Sequence, residues 1–484
     1  MKKFPNKELL ILLAFGLSIL NIAKAVNFPL THDEALSFLI FNGQPFWEGT
    51  ANNHHLNTIL MKVSASFFGH SEWALRLPNI LAHQFYLLFS IILALRFTKP
   101  VSQIGCFVLL NFNLFSFDFF SLARGYGMGL GFILISLYFF LVAAERPKDK
   151  FFVLSIYLSL IAGALAVYAN FAFLNFFIPL WIVCLATIII DSSPLKLSIK
   201  SDRLVHFAPL FSGGAGVIVW VARALFELNS KNQLYFGGTD NLVNDTIKSL
   251  IEASLYDPSV SNLTVQILTI AFLFLTSAFF VVSIYLFLKN RALLTFHWLV
   301  ILLTGVLLLP VLQNFLFEVR YPLERTALYI IPLFSILLAH LLNFLNTTDD
   351  PILISKMGFV FSALISILMM SYFFTNFSFN KCYSWGYDVA NKAAIRTIAT
   401  QRESFFPDET ISVGINWIFE PSLNYYRQVY NYSWITPFTR DGIRIGEDHF
   451  IYTYKNELTF PIQGYELIQT FPQTDTVLLR KTAQ

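Results

Sequence analysis

The chain has 484 residues, 56% of them hydrophobic and only 13% charged, with a formal net charge of +3 and a mean hydropathy of +0.60. A soluble protein of this length carries about a quarter charged residues, so a water-soluble globular fold is excluded. The net charge is too small, and the basic residues too dispersed, for a nucleic-acid surface. Apolar runs long enough to cross a ~30 Å hydrocarbon core recur through the first three quarters of the chain. They define an α-helical polytopic membrane protein.

Residues 1–26 have a basic start and a long apolar core without a small-residue cleavage pattern, and read as a retained signal anchor. Eleven spans are expected near 8–26, 79–97, 101–118, 126–144, 151–169, 171–190, 207–226, 263–288, 293–312, 327–346 and 354–374. With the N-terminus cytoplasmic, cations gather in the inside segments: Lys2, Lys3 and Lys7; Arg96 and Lys99; Arg146, Lys148 and Lys150; Lys196, Lys200 and Arg203; Lys289 and Arg291; Lys356. On the outer side Lys62, Arg76, Arg124, Lys231, Lys248, Arg320 and Arg325 are scattered. That asymmetry places the loop 27–78 and, after an odd number of spans, the C-terminal tail outside. Two domains follow: a membrane module over 1–374, including the outer loop 27–78, and an extracytoplasmic α/β domain over 375–484. In the tail, 411–415, 449–454 and 476–480 read as strands and 421–429 as a helix beginning at Pro421. A second outer loop, 229–262, carries Tyr235-Phe236-Gly237-Gly238 and a turn at Asp257, and reads as a lid or a short interfacial helix. Cys106 and Cys184 lie in apolar runs and Cys382 stands alone in the tail, which therefore holds no internal disulfide.

The loop 27–78 carries more than a spacer needs. Thr31-His32-Asp33-Glu34, directly after the first span, admits two readings. Thr31 is an N-cap followed by acids in a helical first turn, or the acids do chemistry. Adjacent carboxylates diverge by about 100° on a helix, so one can react while the other binds a cation. His54 and His55, between Asn53 and Asn57, suit either a divalent metal or a hydrogen bond to a phosphate or sugar. Phe46, Trp47 and Trp73 read as interfacial anchors. Arg124 in SLARGYGMG, and Arg320 and Arg325 in EVRYPLERTALY, sit where charges pair or serve a site. Either they snorkel or pair with Glu318 and Glu324, or at least one binds an anion.

Taken together, these residues resemble the GT-C superfamily of polyprenyl-phosphate-sugar glycosyltransferases, in the branch of the family 39 protein mannosyltransferases and the lipid A aminoarabinose transferases. Three stretches carry the resemblance: Asp33-Glu34 after the first span; the run NNHHLNTILMKVSASFFGHSEWALRLPN with its segment 68–78; and Arg124-Gly125-Tyr126 after the third span. It extends to about residue 180, and beyond that the match is one of layout. The family's usual His-Pro-Pro stretch is replaced by His54-His55-Leu56.

The resemblance implies an inverting transferase working at the outer face of a bacterial inner membrane. Asp33 would be the general base for an acceptor hydroxyl, with Glu34 orienting it. Arg124, Tyr126, Arg320, Arg325, His54, His55 and Asn57 would contact substrate, the guanidinium forks meeting the lipid phosphate. The implied partners are a polyprenyl-phosphate-linked sugar donor, a protein, lipid or polysaccharide acceptor, and membrane lipids, with a divalent metal as an option. An activated donor removes the need for a Walker-type loop. Two other classes stand beside this one. A transporter or flippase of lipid-linked sugar needs polar groups and broken helices near the bilayer midplane, whereas the ionisable residues here cluster at the outer span ends. A non-catalytic envelope assembly protein would leave Asp33 and the outer arginines without a purpose.

Overall fold

A computed structural model describes residues 6–43, 49–146, 150–191, 200–234, 236–290, 294–347, 352–458 and 461–482. The expected anchors Phe46 and Trp47, and Tyr235 of the second loop, lie outside the described residues. In chain order the elements are α1 (Lys7–Asn27), α2 (His32–Phe41), α3 (His55–Phe68), α4 (Glu72–Ala94), α5 (Pro100–Asn111), α6 (Leu114–Asp118), α7 (Gly125–Glu145), α8 (Phe152–Ala169), α9 (Leu174–Asp191), α10 (Lys200–Ser230) and α11 (Lys248–Leu255). They continue with α12 (Asn262–Asn290), α13 (Thr295–Phe317), α14 (Ile330–Thr347), α15 (Ile352–Asn376), α16 (Asn391–Phe405), β1 (Val413–Ile415), α17 (Glu420–Val429), β2 (Phe450–Tyr454), β3 (Tyr465–Phe471) and β4 (Thr476–Lys481).

The chain divides into two compact units. A membrane unit comprises Met1–Asn21, Asn79–Phe120 and Gly125–Phe377; a second unit comprises Ile22–Pro78, Ser121–Arg124 and Ser378–Gln484. Ten helices among the described residues are long and apolar enough to cross a bilayer, namely α1, α4, α7 to α10 and α12 to α15. Side chains such as Phe226, Phe274 and Phe315 point away from the protein at 77%, 71% and 81% exposure. Apolar surface of that extent is stable against hydrocarbon and not against water.

The remaining expected span, 101–118, is not one helix. α5 has 12 residues, about 18 Å at 1.5 Å per residue, too short to cross alone. Asn113 is the cause: its side chain accepts from the Ser116 amide at 2.9 Å and starts α6 afresh, the local competition that makes Asn a cap and not a helix-interior residue. The chain leaves the second unit at Pro78 and re-enters it at Ser121. With α4 as a crossing, the topology expected from the charge bias needs a return through residues 100–118, where α5 and α6 lie in two pieces. The small residues after Arg124 have a related reason. A Cβ on Gly127 would lie 2.2 Å from the Phe119 carbonyl oxygen, so only glycine lets the start of α7 pass the end of α6.

In the second unit, loop and tail share a hydrophobic core. Leu30, Ala35, Phe38, Leu39 and Met61 pack with Ile395, Ile398, Leu423, Tyr425, Tyr426 and Tyr452. The Phe38 ring meets Tyr425 edge-on at 5.0 Å. The apolar face of α2 is thus covered by α17, and the loop 27–78, expected with the membrane module, folds with the tail. The tail sheet has the order β1-β2-β4-β3, with β1 and β2 parallel and the other pairs antiparallel. Its expected strands and helix are present, with α16 and β3 in addition. In the second outer loop a π-helical turn at Leu242–Ile247 leads into the short helix α11.

The two-piece crossing has a direct test. In a background without native cysteines, Ala51→Cys and Asp441→Cys, both exposed, should react with a membrane-impermeant maleimide from the same side, and Thr98→Cys from the opposite side. Labelling of positions 51 and 441 from opposite sides contradicts it.

Candidate functional site

The start of α2 follows from its sequence. Thr31 is extended at φ −80° and ψ 162°, and His32, Asp33 and Glu34 form the first turn, where acids meet the positive end of the helix dipole. Glu34 turns back: its Oε2 accepts from the Thr31 amide at 2.9 Å and the Thr31 hydroxyl at 3.0 Å, the acidic half of a capping box. Arg76, in the first turns of α4, closes on the same carboxylate in bidentate fashion, Nε to Oε1 at 2.8 Å and Nη2 to Oε2 at 2.7 Å. The Ala123 amide adds a bond to Oε1 at 2.5 Å. The other Arg76 donors go to the carbonyls of Ala25 at 2.9 Å, Phe28 at 2.6 Å and Pro29 at 2.8 Å. All five guanidinium N–H groups therefore have acceptors, and both side chains are fully buried. Glu34 is a junction joining the end of α1, the start of α2, α4 and the segment Ser121–Arg124.

Asp33 lies about 100° further round the helix and meets a different arginine. Arg124 Nη2 stands 3.3 Å from Asp33 Oδ2, with the two side chains 1% and 8% exposed. Arg124 Nη1 donates to the backbone carbonyls of Asp33 at 3.1 Å and Asn52 at 3.0 Å, and its Nη2 contacts His54 Nε2 at 2.9 Å. Because a guanidinium only donates, His54 Nε2 accepts and the ring proton sits on Nδ1. The Nε–H of Arg124 is buried and has no partner among the described residues. Asn57, fully buried, donates to the Ala123 carbonyl at 2.8 Å. With Glu34 on the Ala123 amide, this pins the peptide that precedes Arg124. His55 is the first residue of α3 and half-buried, and burial holds its pKa below the ordinary histidine value.

The tail grips the peptide ahead of Asp33. The Leu30 amide donates to the Tyr426 hydroxyl at 2.8 Å, and its carbonyl accepts from Ser422 at 3.0 Å. The His32 amide donates to Asp388 Oδ2 at 2.6 Å, and His32 Nδ1 donates to the Ile418 carbonyl at 2.6 Å. Lys392 bonds Glu72, at the start of α4, at 2.5 Å.

The chain matches the crystal structure of ArnT from Cupriavidus metallidurans bound to undecaprenyl phosphate over 98% of both chains, with a TM-score of 0.52 and 12% identity. The apo form of the same protein matches over 97% of both chains, with a TM-score of 0.54 and 10% identity. The chain shares the fold of that ArnT. The Archaeoglobus fulgidus oligosaccharyltransferase in complex with Zn and sulfate aligns at a TM-score of 0.46 and 12% identity, over 91% of this chain and 67% of that one. No protein-family model and no curated protein matches the sequence.

Of the residues singled out in the sequence, the second unit brings together Asp33, Glu34, His54, Asn57 and Arg124 around the start of α2, with His55 beside them on α3. Tyr126, Arg320 and Arg325 belong to the membrane unit. There Tyr126 packs on Phe119 at 4.9 Å, Arg320 is exposed, and Arg325 lies over the Phe236 ring at 4.7 Å. His54 and Asp33 do not fit a divalent cation as placed. The Nε2 lone pair of His54 is taken by Arg124, and the carboxylate faces the same guanidinium. No group of three His, Cys, Asp or Glu side chains is arranged for a metal among the described residues. Two participants escaped the sequence reading. Arg76 looked like one more scattered outer cation, although its place in Leu75-Arg76-Leu77-Pro78, an arginine between apolar residues, was a signal of burial. Asp388 offers no pattern at all.

Glu34→Gln or Arg76→Leu should each destabilise the protein by about 3–5 kcal/mol, since either strands a buried charge. Thermal unfolding in detergent checks this, with Asp33→Asn expected to cost less, because Arg124 keeps two backbone carbonyls and His54 as acceptors. Acidification should act in the same direction. Burial lowers the pKa of both His32 and His55, so the unfolded chain takes up these protons near pH ~6.5 and the folded chain only at lower pH. On account of these two histidines the unfolding midpoint should fall as pH drops below about 6.5, less so in His55→Asn, with the raised Asp388 carboxyl opposing part of the fall.

Proposed function

We propose that this chain is an inverting glycosyltransferase that moves a sugar from a polyprenyl-phosphate carrier to an acceptor hydroxyl. With the N-terminus cytoplasmic, the reaction takes place at the extracytoplasmic face of a bacterial inner membrane. The observation that carries the reading is the buried pair between Asp33, on the first helix after α1, and Arg124, just before α7. Support comes from the fold, shared over nearly the whole length with ArnT, whose crystal structure contains undecaprenyl phosphate.

In the proposed reaction the acceptor oxygen attacks the anomeric carbon as its proton passes to the Asp33 carboxylate. One C–O bond forms, the bond from the anomeric carbon to the phosphate oxygen breaks, and the centre inverts. General-base assistance of this kind contributes about 10²–10⁴-fold. Arg124 keeps the carboxylate aimed, with His54 and Asn57 holding Arg124 and its peptide. The departing lipid phosphate gains negative charge, which guanidinium groups stabilise best where water is excluded. Arg320 and Arg325 are assigned that task, with Tyr126 and His55 as further substrate contacts. Glu34 has every bond committed to the scaffold and acts by orienting Asp33.

Mass spectrometry of the cell envelope tests the function: one glycosyl mass should be missing without the protein and restored by the wild-type gene. Asp33→Asn should not restore it, while still accumulating in the membrane and binding undecaprenyl phosphate. An unchanged envelope in the absence of the protein contradicts the reading and favours an assembly role. Arg320→Ala and Arg325→Ala should weaken undecaprenyl phosphate binding at least about tenfold, as expected for a lost charge-assisted bond, with unfolding unchanged. Wild-type affinity in both variants removes those two assignments.

A further inference from the structure

We infer that Asp388, in the C-terminal tail, is a positioning residue for Asp33, an inference that rests on the transferase reading above. Asp388 is fully buried. Its Oδ2 accepts the His32 amide at 2.6 Å, and its Oδ1 accepts from the Asn391 side chain at 2.8 Å. Asn391 is in turn fixed by the Tyr452 hydroxyl at 3.0 Å, so the carboxylate is built into the sheet domain. His32 is the first residue of α2 and the neighbour of Asp33, and its amide is one of the orphan donors of that helix end. A Ser or Asn would satisfy such a donor without placing a third carboxyl near Asp33 and Glu34. Burial, together with those two acids, drives the Asp388 carboxyl well above the usual range. An arrangement that is unfavourable for the carboxyl itself, yet made at 2.6 Å to the residue beside the reacting acid, serves placement of that acid.

The same peptide is held from the tail at three further points: the Leu30 amide by Tyr426, the Leu30 carbonyl by Ser422, and the His32 ring by Ile418. Asp388 is the contact nearest to Asp33 along the backbone. Its removal frees the first turn of α2 to shift while the junction at Glu34 and Arg76 stays closed. A shift of about 1 Å at a reacting group lowers rates by about 10²-fold.

The test compares Asp388→Leu, which removes the acceptor, with Asp388→Asn, which keeps one. Two quantities are read for each: the glycosyl mass added to the envelope, and undecaprenyl phosphate binding by non-denaturing mass spectrometry. Asp388→Leu should lower transfer about 10- to 100-fold with binding within about 3-fold of wild type, and Asp388→Asn should recover most of the transfer. Wild-type transfer by Asp388→Leu overturns the inference. So does a parallel loss of transfer and binding that Asp388→Asn fails to rescue, which marks a purely structural role. Should Asp388→Leu fail to accumulate, His32→Pro removes the same bond from the other side. Proline is favoured at a first helical position, and Thr31 is already extended. Loss of transfer with retained binding in His32→Pro, beside an active His32→Asn, supports the inference; wild-type transfer in His32→Pro overturns it. Asp33→Asn separates the two layers. If it remains active, the transferase reading itself fails; if it is inactive while Asp388→Leu is active, only the role of Asp388 fails.

Discussion

The buried ion pair between Glu34 and Arg76 is the constraint on which the rest of the second unit depends. Five guanidinium donors meet two carboxylate oxygens and three backbone carbonyls, from Ala25, Phe28 and Pro29. A guanidinium in apolar surroundings is tolerated only with that degree of satisfaction. The fork geometry also fixes directions, so the exit of α1 and the entry of α4 are set relative to α2. Through the Ala123 amide the same carboxylate reaches the turn that delivers Arg124. The second arginine is thereby brought to the neighbouring acid.

Two adjacent carboxylates thus divide the work by helical geometry alone. Glu34 faces inward, and its bonds are all structural. Asp33, one residue earlier, meets a guanidinium whose Nε–H has no partner among the described residues. The capped helix start expected of Thr31-His32-Asp33-Glu34 is present, and the same segment sets Asp33 beside a cation. The tail is part of this arrangement and not an appendage, because Tyr426, Ser422, Ile418 and Asp388 hold the two residues nearest to Asp33 on its N-terminal side that expose backbone donors or acceptors to it. The shared core of α2 and α17 supplies the apolar contact that makes these polar bonds possible.

The membrane helices were legible because hydropathy over some twenty residues is a local property. The break at Asn113 was not, since a single Asn in an apolar run changes the average little yet replaces a ladder bond by a side-chain cap. Asp33, Glu34 and Arg124 were legible from their type and their place beside spans, where charge is costly without a purpose. Arg76 was passed over because its acceptors, Glu34 and three backbone carbonyls, lie 42 to 51 residues upstream, beyond any local pattern. Asp388 is 356 residues from His32, and no local pattern announces a contact of that kind. In the tail, β3 was missed because only its two end residues are buried and the rest do not alternate cleanly, whereas β2 and β4 are near-continuous buried runs.

The central claim is that the Asp33–Arg124 pair is where a sugar-bearing lipid phosphate reacts. An experimental structure of the protein in a lipid nanodisc with undecaprenyl phosphate tests it most directly. The account predicts phosphate density beside that pair, at a distance that leaves room for one sugar ring between the phosphate and the Asp33 carboxylate. Phosphate bound elsewhere, with Asp33 and Arg124 sealed away from any lipid-accessible space, contradicts it.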